Sequence, residues 1–333
     1  MAFRLKLVPD NTKIDFFRLQ KATFGLSALL MVLSVLVLLV NGLNFGIDFR
    51  GGTTIRTESE QAVDIAAYRN ALQPLDLGDV AITQVYDPGF REDQHVAMVR
   101  ISAQDGVEAV TPELITAVEG ALQTVDSSIS FPSVESVGPK VSGELIKTAI
   151  YSVLAALAAI SVYIWLRFEW QFAVGAIVSL FHDVLLTMGL FAAFHIRFDL
   201  TTIAALLTIV GYSINDTVVV FDRLRENLMK FKQKPLRDLM NLSVNETLSR
   251  TIMTSGTTLV ALIALLVLGG DVIRGFVFAI TFGIFVGTYS SIYVAKNFVL
   301  WLGVRRDWGK PDPNDPNAKP RKSVSPFEGA EEG

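Results

Sequence analysis

Asp183 and Asp216 stand deep inside long apolar runs. The first lies in Ser179-Leu180-Phe181-His182-Asp183-Val184-Leu185 and the second in Gly211-Tyr212-Ser213-Ile214-Asn215-Asp216-Thr217. A charged side chain at the centre of an inserted helix costs about 2.5–3.5 kcal/mol on the translocon scale, so an ionisable group there needs a partner or a task. The task open to a carboxyl is proton exchange: shielded from water it takes up a proton, and an approaching cation drives the proton off again. Arg250, in Leu248-Ser249-Arg250-Thr251, is the cation expected to act on Asp216, since both fall in the same half of neighbouring antiparallel spans. A static Asp–Arg pair that only orders the bundle is the competing reading.

Other polar residues surround this pair. Thr201, Thr208, Asn215 and Asp222 recur every seven residues and form one polar stripe on their helix. Asp216 lies about 100° from that stripe, on the turn with Tyr212 and Ser213. Asp183, Asn215, Ser213 and Tyr212 are the expected supporting residues, with Asp183 either packing polar helices together or tuning Asp216. His182 and Asp183 are adjacent, point about 100° apart on a helix, and are expected not to pair with each other.

Several chemistries are excluded. No serine elbow and no H-E-x-x-H motif occurs, so no catalytic residue is expected and the chain is not read as an enzyme. The three histidines, His95, His182 and His195, match no metal-ligand spacing, and cysteine is absent. No metal and no cofactor is expected. The lack of a Walker loop leaves the membrane gradient as the energy source. A net charge of −4 provides no basic surplus for nucleic acid.

These residues need helices to hold them, and the composition supplies the material. Half the residues are hydrophobic (51%) in a chain of 333. A run over 22–41 is long enough to cross a bilayer, follows a basic tail (1–21) and lacks a small-x-small cleavage site, so an uncleaved anchor is expected. Five further apolar segments, about 145–166, 170–194, 199–221, 250–268 and 272–298, complete a six-span polytopic α-helical bundle. Gly283 and Gly287 in the last of them form a small-xxx-small pair suited to tight packing. Basic residues concentrate in the N-terminal tail, in a loop read over 222–249 and in the tail 299–333. The positive-inside rule then places both termini and that loop in the cytoplasm. The tail 299–333 is rich in Pro, Asn, Lys and Glu and is expected to be largely disordered. Residues 42–140 fall outside. Their pattern reads β-α-β-β-α-β, with strands over 53–57, 80–86, 95–101 and 129–137 and a turn at Pro88-Gly89. Helices are read over 61–72 and from Pro112 to about Thr124, the second capped by Thr111. This order predicts a small ferredoxin-like α+β module.

Several stretches carry a resemblance. They are Phe45-Gly46-Ile47-Asp48-Phe49-Arg50-Gly51-Gly52-Thr53 after the first span and Val137-Gly138-Pro139-Lys140-Val141-Ser142-Gly143-Glu144-Leu145 before the second. The longest runs from Gly211-Tyr212-Ser213-Ile214-Asn215-Asp216-Thr217 through Asp222-Arg223-Leu224-Arg225-Glu226-Asn227. Asn245-Glu246-Thr247-Leu248-Ser249-Arg250-Thr251 and Gly287-Thr288-Tyr289-Ser290-Ser291-Ile292 follow. From Gly25 to about Gly303 the chain resembles the SecD/SecF family of bacterial protein-export membrane proteins, on its SecF side, within the RND superfamily.

The resemblance implies a multi-pass inner-membrane protein that pairs with SecD, a similar six-span half. Together they would assist the SecYEG channel and the SecA motor as the preprotein crosses among membrane lipids. It implies proton coupling through the positions of Asp216 and Arg250 and a periplasmic module after the first span. Asp48, with Gly51 and Gly52, is expected to shape the start of the first strand rather than to titrate. The alternatives are a half-size RND exporter of small molecules or lipids, an intramembrane hydrolase, and a purely structural bundle subunit.

Overall fold

The computed structural model describes residues 9, 12–85, 90–103 and 111–304. Six helical segments among them are long and apolar enough to cross a membrane. They are α1 (Gln20–Asn41), α5 (Pro139–Arg167), α6 (Trp170–Ala193), α7 (Leu200–Lys230), α8 (Leu236–Leu268) and a last span in three parts. That last span comprises α9 (Asp271–Ser290), a π-helical turn (Ser291–Ala295) and α10 (Lys296–Leu302). Spans α6, α7 and the last are the most buried, so they form the centre, while α1, α5 and α8 present apolar faces outward.

Close approach at the centre depends on missing side chains. A Cβ on Gly189 of α6 would overlap Ser34 of α1, and one on Gly283 of α9 would overlap the Ile209 side chain of α7. Gly175 lets α6 reach the π turn, where a Cβ would come within 2.8 Å of the Ala295 carbonyl oxygen. Dispersion contacts between closely approaching backbones replace the hydrophobic drive that lipid cannot supply.

Two helices run further than their apolar segments. The region read as a loop over 222–249 is almost wholly helical, because α7 continues to Lys230 and α8 begins at Leu236. Polar residues end an apolar run without ending a helix, and Leu, Arg, Glu, Asn and Met here are compatible with continued turns. Only Lys234-Pro235 forces a break, since the residue before a proline avoids helical geometry.

The N-terminal segment is strapped to α8. Ile14 and Phe16 donate their amides to Asn245 Oδ1 and Asn241 Oδ1, both at 2.9 Å. Asn241 Nδ2 and Asn245 Nδ2 each return a bond to the Ile14 carbonyl at 2.9 Å. Lys296, only 1% exposed, donates to the Phe16 carbonyl at 3.1 Å, and its ammonium lies 4.1 Å from the Phe17 ring centroid. The π turn inserts one extra residue per turn just before Lys296, a local irregularity common where side chains must be re-aimed. Phe16 packs with Val220, Val244, Leu248 and Ile292, closing α7 against α8.

Between α1 and α5 lies the α+β module. Its elements are β2 (Gly52–Ser59), α3 (Ile65–Leu72), β3 (Val80–Val85), β4 (His95–Ser102), α4 (Pro112–Gln123) and β5 (Ser130–Val137). All pairings are antiparallel and the spatial order is β3-β4-β2-β5, the split β-α-β arrangement. Thr111 caps α4 with Pro112 at its first position, and Asp64 caps α3, which starts later than its periodicity indicated. Ile55, Val99, Val118 and Leu122 fill the core between sheet and helices. The turn expected at Pro88-Gly89 lies outside the described residues, as does the tail from 305 onward.

A short parallel bridge fastens the module to the bundle: β1 (Asn44–Phe45) pairs with β6 (Arg197–Phe198). Asp48, on the short helix α2 (Ile47–Arg50), accepts the Leu200 amide at 3.0 Å and so holds the start of α7 rather than only the start of β2. Asp199 caps α7 in a full capping box. Burial pushes the Asp199 carboxyl up, but bonds from Thr201 and Thr202 and the charge of Arg197 outweigh it and hold the group below the usual carboxylate range. A depressed folded value means this stabilisation is complete above the ordinary aspartate range and fades as pH falls through the folded value. The unfolding midpoint of the full chain in detergent should therefore drop on acidification, and Asp199→Asn should flatten that acid limb.

Candidate functional site

Asp216 is 2% exposed and sits at the meeting of three helices. Its Oδ2 accepts from Ser255 Oγ of α8 at 3.2 Å, and Ser255 Oγ accepts from Thr288 Oγ1 of α9 at 2.8 Å. Arg250 lies on α8, little more than one turn before Ser255, and its charge acts on Asp216. Among the described residues no ion pair shorter than 4 Å joins the two, so the static Asp–Arg pair is not what the structure holds. Arg250 instead faces a crevice of about 470 Å³ at the end of the bundle where α7 meets α8. The crevice is lined by charge: Arg167 pairs with Asp222 at 3.0 Å, and Arg223 bonds Glu246 at 2.7 Å and Glu226 at 2.6 Å. The carboxyl of Asp216 thus has a hydroxyl partner, and Arg250 reaches polar space beside it.

Asp183 belongs to a second network. Its Oδ2 accepts from Ser213 Oγ of α7 at 2.6 Å and from Ser290 Oγ at the end of α9 at 2.8 Å. Its Oδ1 lies 2.9 Å from His182 Nδ1, with both side chains fully buried. The expectation that these neighbours could not meet is therefore wrong. A 100° offset separates the Cα–Cβ directions, but both polar groups lie beyond Cβ and swing back across that angle. His182 stacks on Tyr289, whose hydroxyl donates to the Thr23 carbonyl of α1 at 2.8 Å. Asp183 thus joins α6, α7 and α9, and through His182 and Tyr289 the arrangement reaches α1. The serines bond the carboxylate and not the imidazole; His182 Nε2 has no hydrogen-bond partner. That geometry offers no serine–histidine pair for a hydrolase.

The remaining expected residues divide. Ser213 serves Asp183 and not Asp216. Tyr212 donates to Thr258 Oγ1 at 3.3 Å, tying α7 to α8. Asn215 is exposed, and with Thr201 and Thr208 it lies on the outer surface of this chain. Sequence reasoning missed Ser255, Thr288 and Ser290, whose types are unremarkable in a packed bundle. It also missed Lys296, which the rule applied to Asp216 would have flagged near the end of the last apolar segment.

Comparison with known proteins gives consistent results. Residues 117–305 match the family model described as "Protein export membrane protein SecD/SecF, C-terminal", and residues 36–63 match the SecD/SecF GG motif. The protein translocase subunit SecF of Cereibacter sphaeroides is 71% identical over 94% of this chain and 96% of its own. That of Rhodobacter capsulatus is 65% identical over 95% and 96%. Among solved structures, SecDF of Thermus thermophilus, a translocon-associated membrane protein, superposes with a TM-score of 0.79 at 37% identity. The match covers 89% of this chain and 39% of that one. SecDF in its super-membrane-facing form gives 0.65 at 38% identity, covering 88% and 39%. This chain spans about two fifths of the length of those solved chains.

Proposed function

Because this chain belongs to the SecD/SecF family of protein-export membrane proteins, we propose that it is the SecF-type accessory subunit of a bacterial Sec preprotein translocase, coupled to the proton gradient. It pairs with SecD in the inner membrane and promotes late steps of export through SecYEG after SecA has engaged the preprotein. It catalyses no covalent chemistry. The basic residues around 222–250 and near both termini favour a cytoplasmic location for those regions, which puts the module of residues 42–140 in the periplasm. In the cycle we propose, Arg250 moves between Asp216 and the charged crevice. Its departure lets the carboxyl take a proton, and its return expels that proton toward the cytoplasm.

The observation that carries this reading is Asp216 itself: a carboxylate buried among three spans, bonded to a serine hydroxyl and influenced by a cation that is not locked to it. The test is complementation. In cells depleted of their own subunit, this chain expressed with its SecD counterpart should restore export of a periplasmic reporter, and a protonophore should remove the restored increment. Restoration that is indifferent to the protonophore would refute proton coupling. No restoration at normal membrane abundance would refute the export role and favour a small-molecule exporter.

A further inference from the structure

A cavity of about 690 Å³ lies away from Asp216, where the module meets the bundle. Two kinds of wall bound it. From β4, β6 and the start of α9 come Arg100, Arg197 and Arg274; from the end of α8 and the first turns of α9 come Leu266, Phe276 and Phe278. Among the described lining residues the carboxylate is that of Asp199. It already bonds Arg197 at 3.2 Å and accepts from Thr201 and Thr202 in capping α7. Arg197 thus already engages that carboxylate.

Arg100 is the most strained electrostatically. Its Nε is buried and has no hydrogen-bond partner. Burial disfavours its charge, and Arg197 and Arg50 add repulsion, so the guanidinium is held below its usual range. Leaving a buried charged donor unsatisfied costs more than an ordinary hydrogen bond returns. An anion in the cavity would relieve both the missing bond and the repulsion.

The position selects the anion. Helix α8 ends at Leu268, α9 starts at Asp271 and α7 starts at Leu200, so the cavity sits at the level where apolar spans give way to polar structure. That is the headgroup layer of a bilayer. A free inorganic anion would use the arginines and leave the phenylalanines idle, whereas a phospholipid would use both walls. A zwitterionic headgroup would bring its own cation into a basic cavity. We propose that this junction is a binding site for an anionic phospholipid, with the phosphodiester held by Arg100 and Arg197 and the glycerol and upper acyl carbons lying against Leu266, Phe276 and Phe278. The site needs only that the bundle crosses a membrane and holds whether or not the export reading does.

Bound lipid would tie the module to the bundle where covalent connection is limited to the chain after α1 and the chain before α5. The experiment is native mass spectrometry of the full chain in mild detergent, with phosphatidylglycerol, phosphatidylethanolamine or inorganic phosphate added alone and in competition. Phosphatidylglycerol should be retained preferentially. Arg100→Gln and Arg197→Gln, on different elements, should each weaken retention about tenfold or more, the worth of a charge-assisted hydrogen bond. Arg69→Gln, on α3, should leave it unchanged, and unfolding midpoints would separate lost binding from lost folding. Equal retention of the two lipids, or retention unaltered in folded Arg100→Gln and Arg197→Gln, would overturn the proposal. Displacement of the lipid by equimolar phosphate would also overturn it, by identifying a site for free anion.

Discussion

Asp216→Asn should abolish the gradient-dependent part of export while leaving membrane abundance and SecD association intact. Asparagine keeps the size of the side chain and retains a carbonyl oxygen for the Ser255 hydroxyl, which donates at 3.2 Å. What it removes is the proton. Buried packing is almost unchanged, so the cost in stability should stay near or below about 1 kcal/mol, within the range of volume-conserving changes. The gradient-stimulated increment, by contrast, should fall to the level seen with a protonophore. Arg250→Gln should reproduce that loss, because an uncharged side chain cannot expel a proton from the carboxyl on returning from the crevice. Measured at equal abundance, full gradient-dependent export by Asp216→Asn would make the carboxylate structural and end the relay mechanism.

Asp183→Ala should give the opposite pattern, a large loss of stability that precedes any statement about transport. The carboxylate accepts from Ser213 and Ser290 and contacts His182, all within helices at the centre of the bundle. Alanine would strand those donors in a fully buried site and leave a cavity. Breaking a buried charged network by removing one member costs about 3–5 kcal/mol. Membrane abundance should fall and the unfolding midpoint should drop sharply. Asp183→Asn, which keeps one acceptor oxygen and the volume, should recover most of the abundance and with it gradient-dependent export. If Asp183→Asn were abundant yet lost the gradient response, Asp183 would have to be a second proton carrier instead of the joint between α6, α7 and α9.

Much of this architecture was legible from residues alone, and the omissions share a cause. Spans and module elements announce themselves through periodicity and composition, which are local signals. Thr111-Pro112 marked the start of α4 for the same reason. The end of α7 and the start of α8 escape hydropathy, because a helix leaving a membrane can continue as a polar one. Asp216 was found because charge in an apolar run is conspicuous. Ser255 and Thr288, which complete its surroundings, are ordinary hydroxyls whose meaning arises only from packing. The His182–Asp183 contact escapes helix geometry, which describes Cβ directions and not the reach of the groups beyond them.

The strap formed by residues 12–17 also bears on how the molecule is made. Asn241, Asn245 and Lys296 follow the segment they hold by 225 to 280 positions. At about 5–20 residues per second, the segment leaves the ribosome roughly 10–60 s before its last partner is synthesised. The two asparagines of α8 emerge first and can take the Ile14 carbonyl and the Ile14 and Phe16 amides, whereas the Phe16 carbonyl and the Phe17 ring wait for Lys296. Docking is complete only once Lys296, in the final span, has been delivered. Chains that stop short of it leave the Phe16 carbonyl without its buried donor and the Phe17 ring without its ammonium.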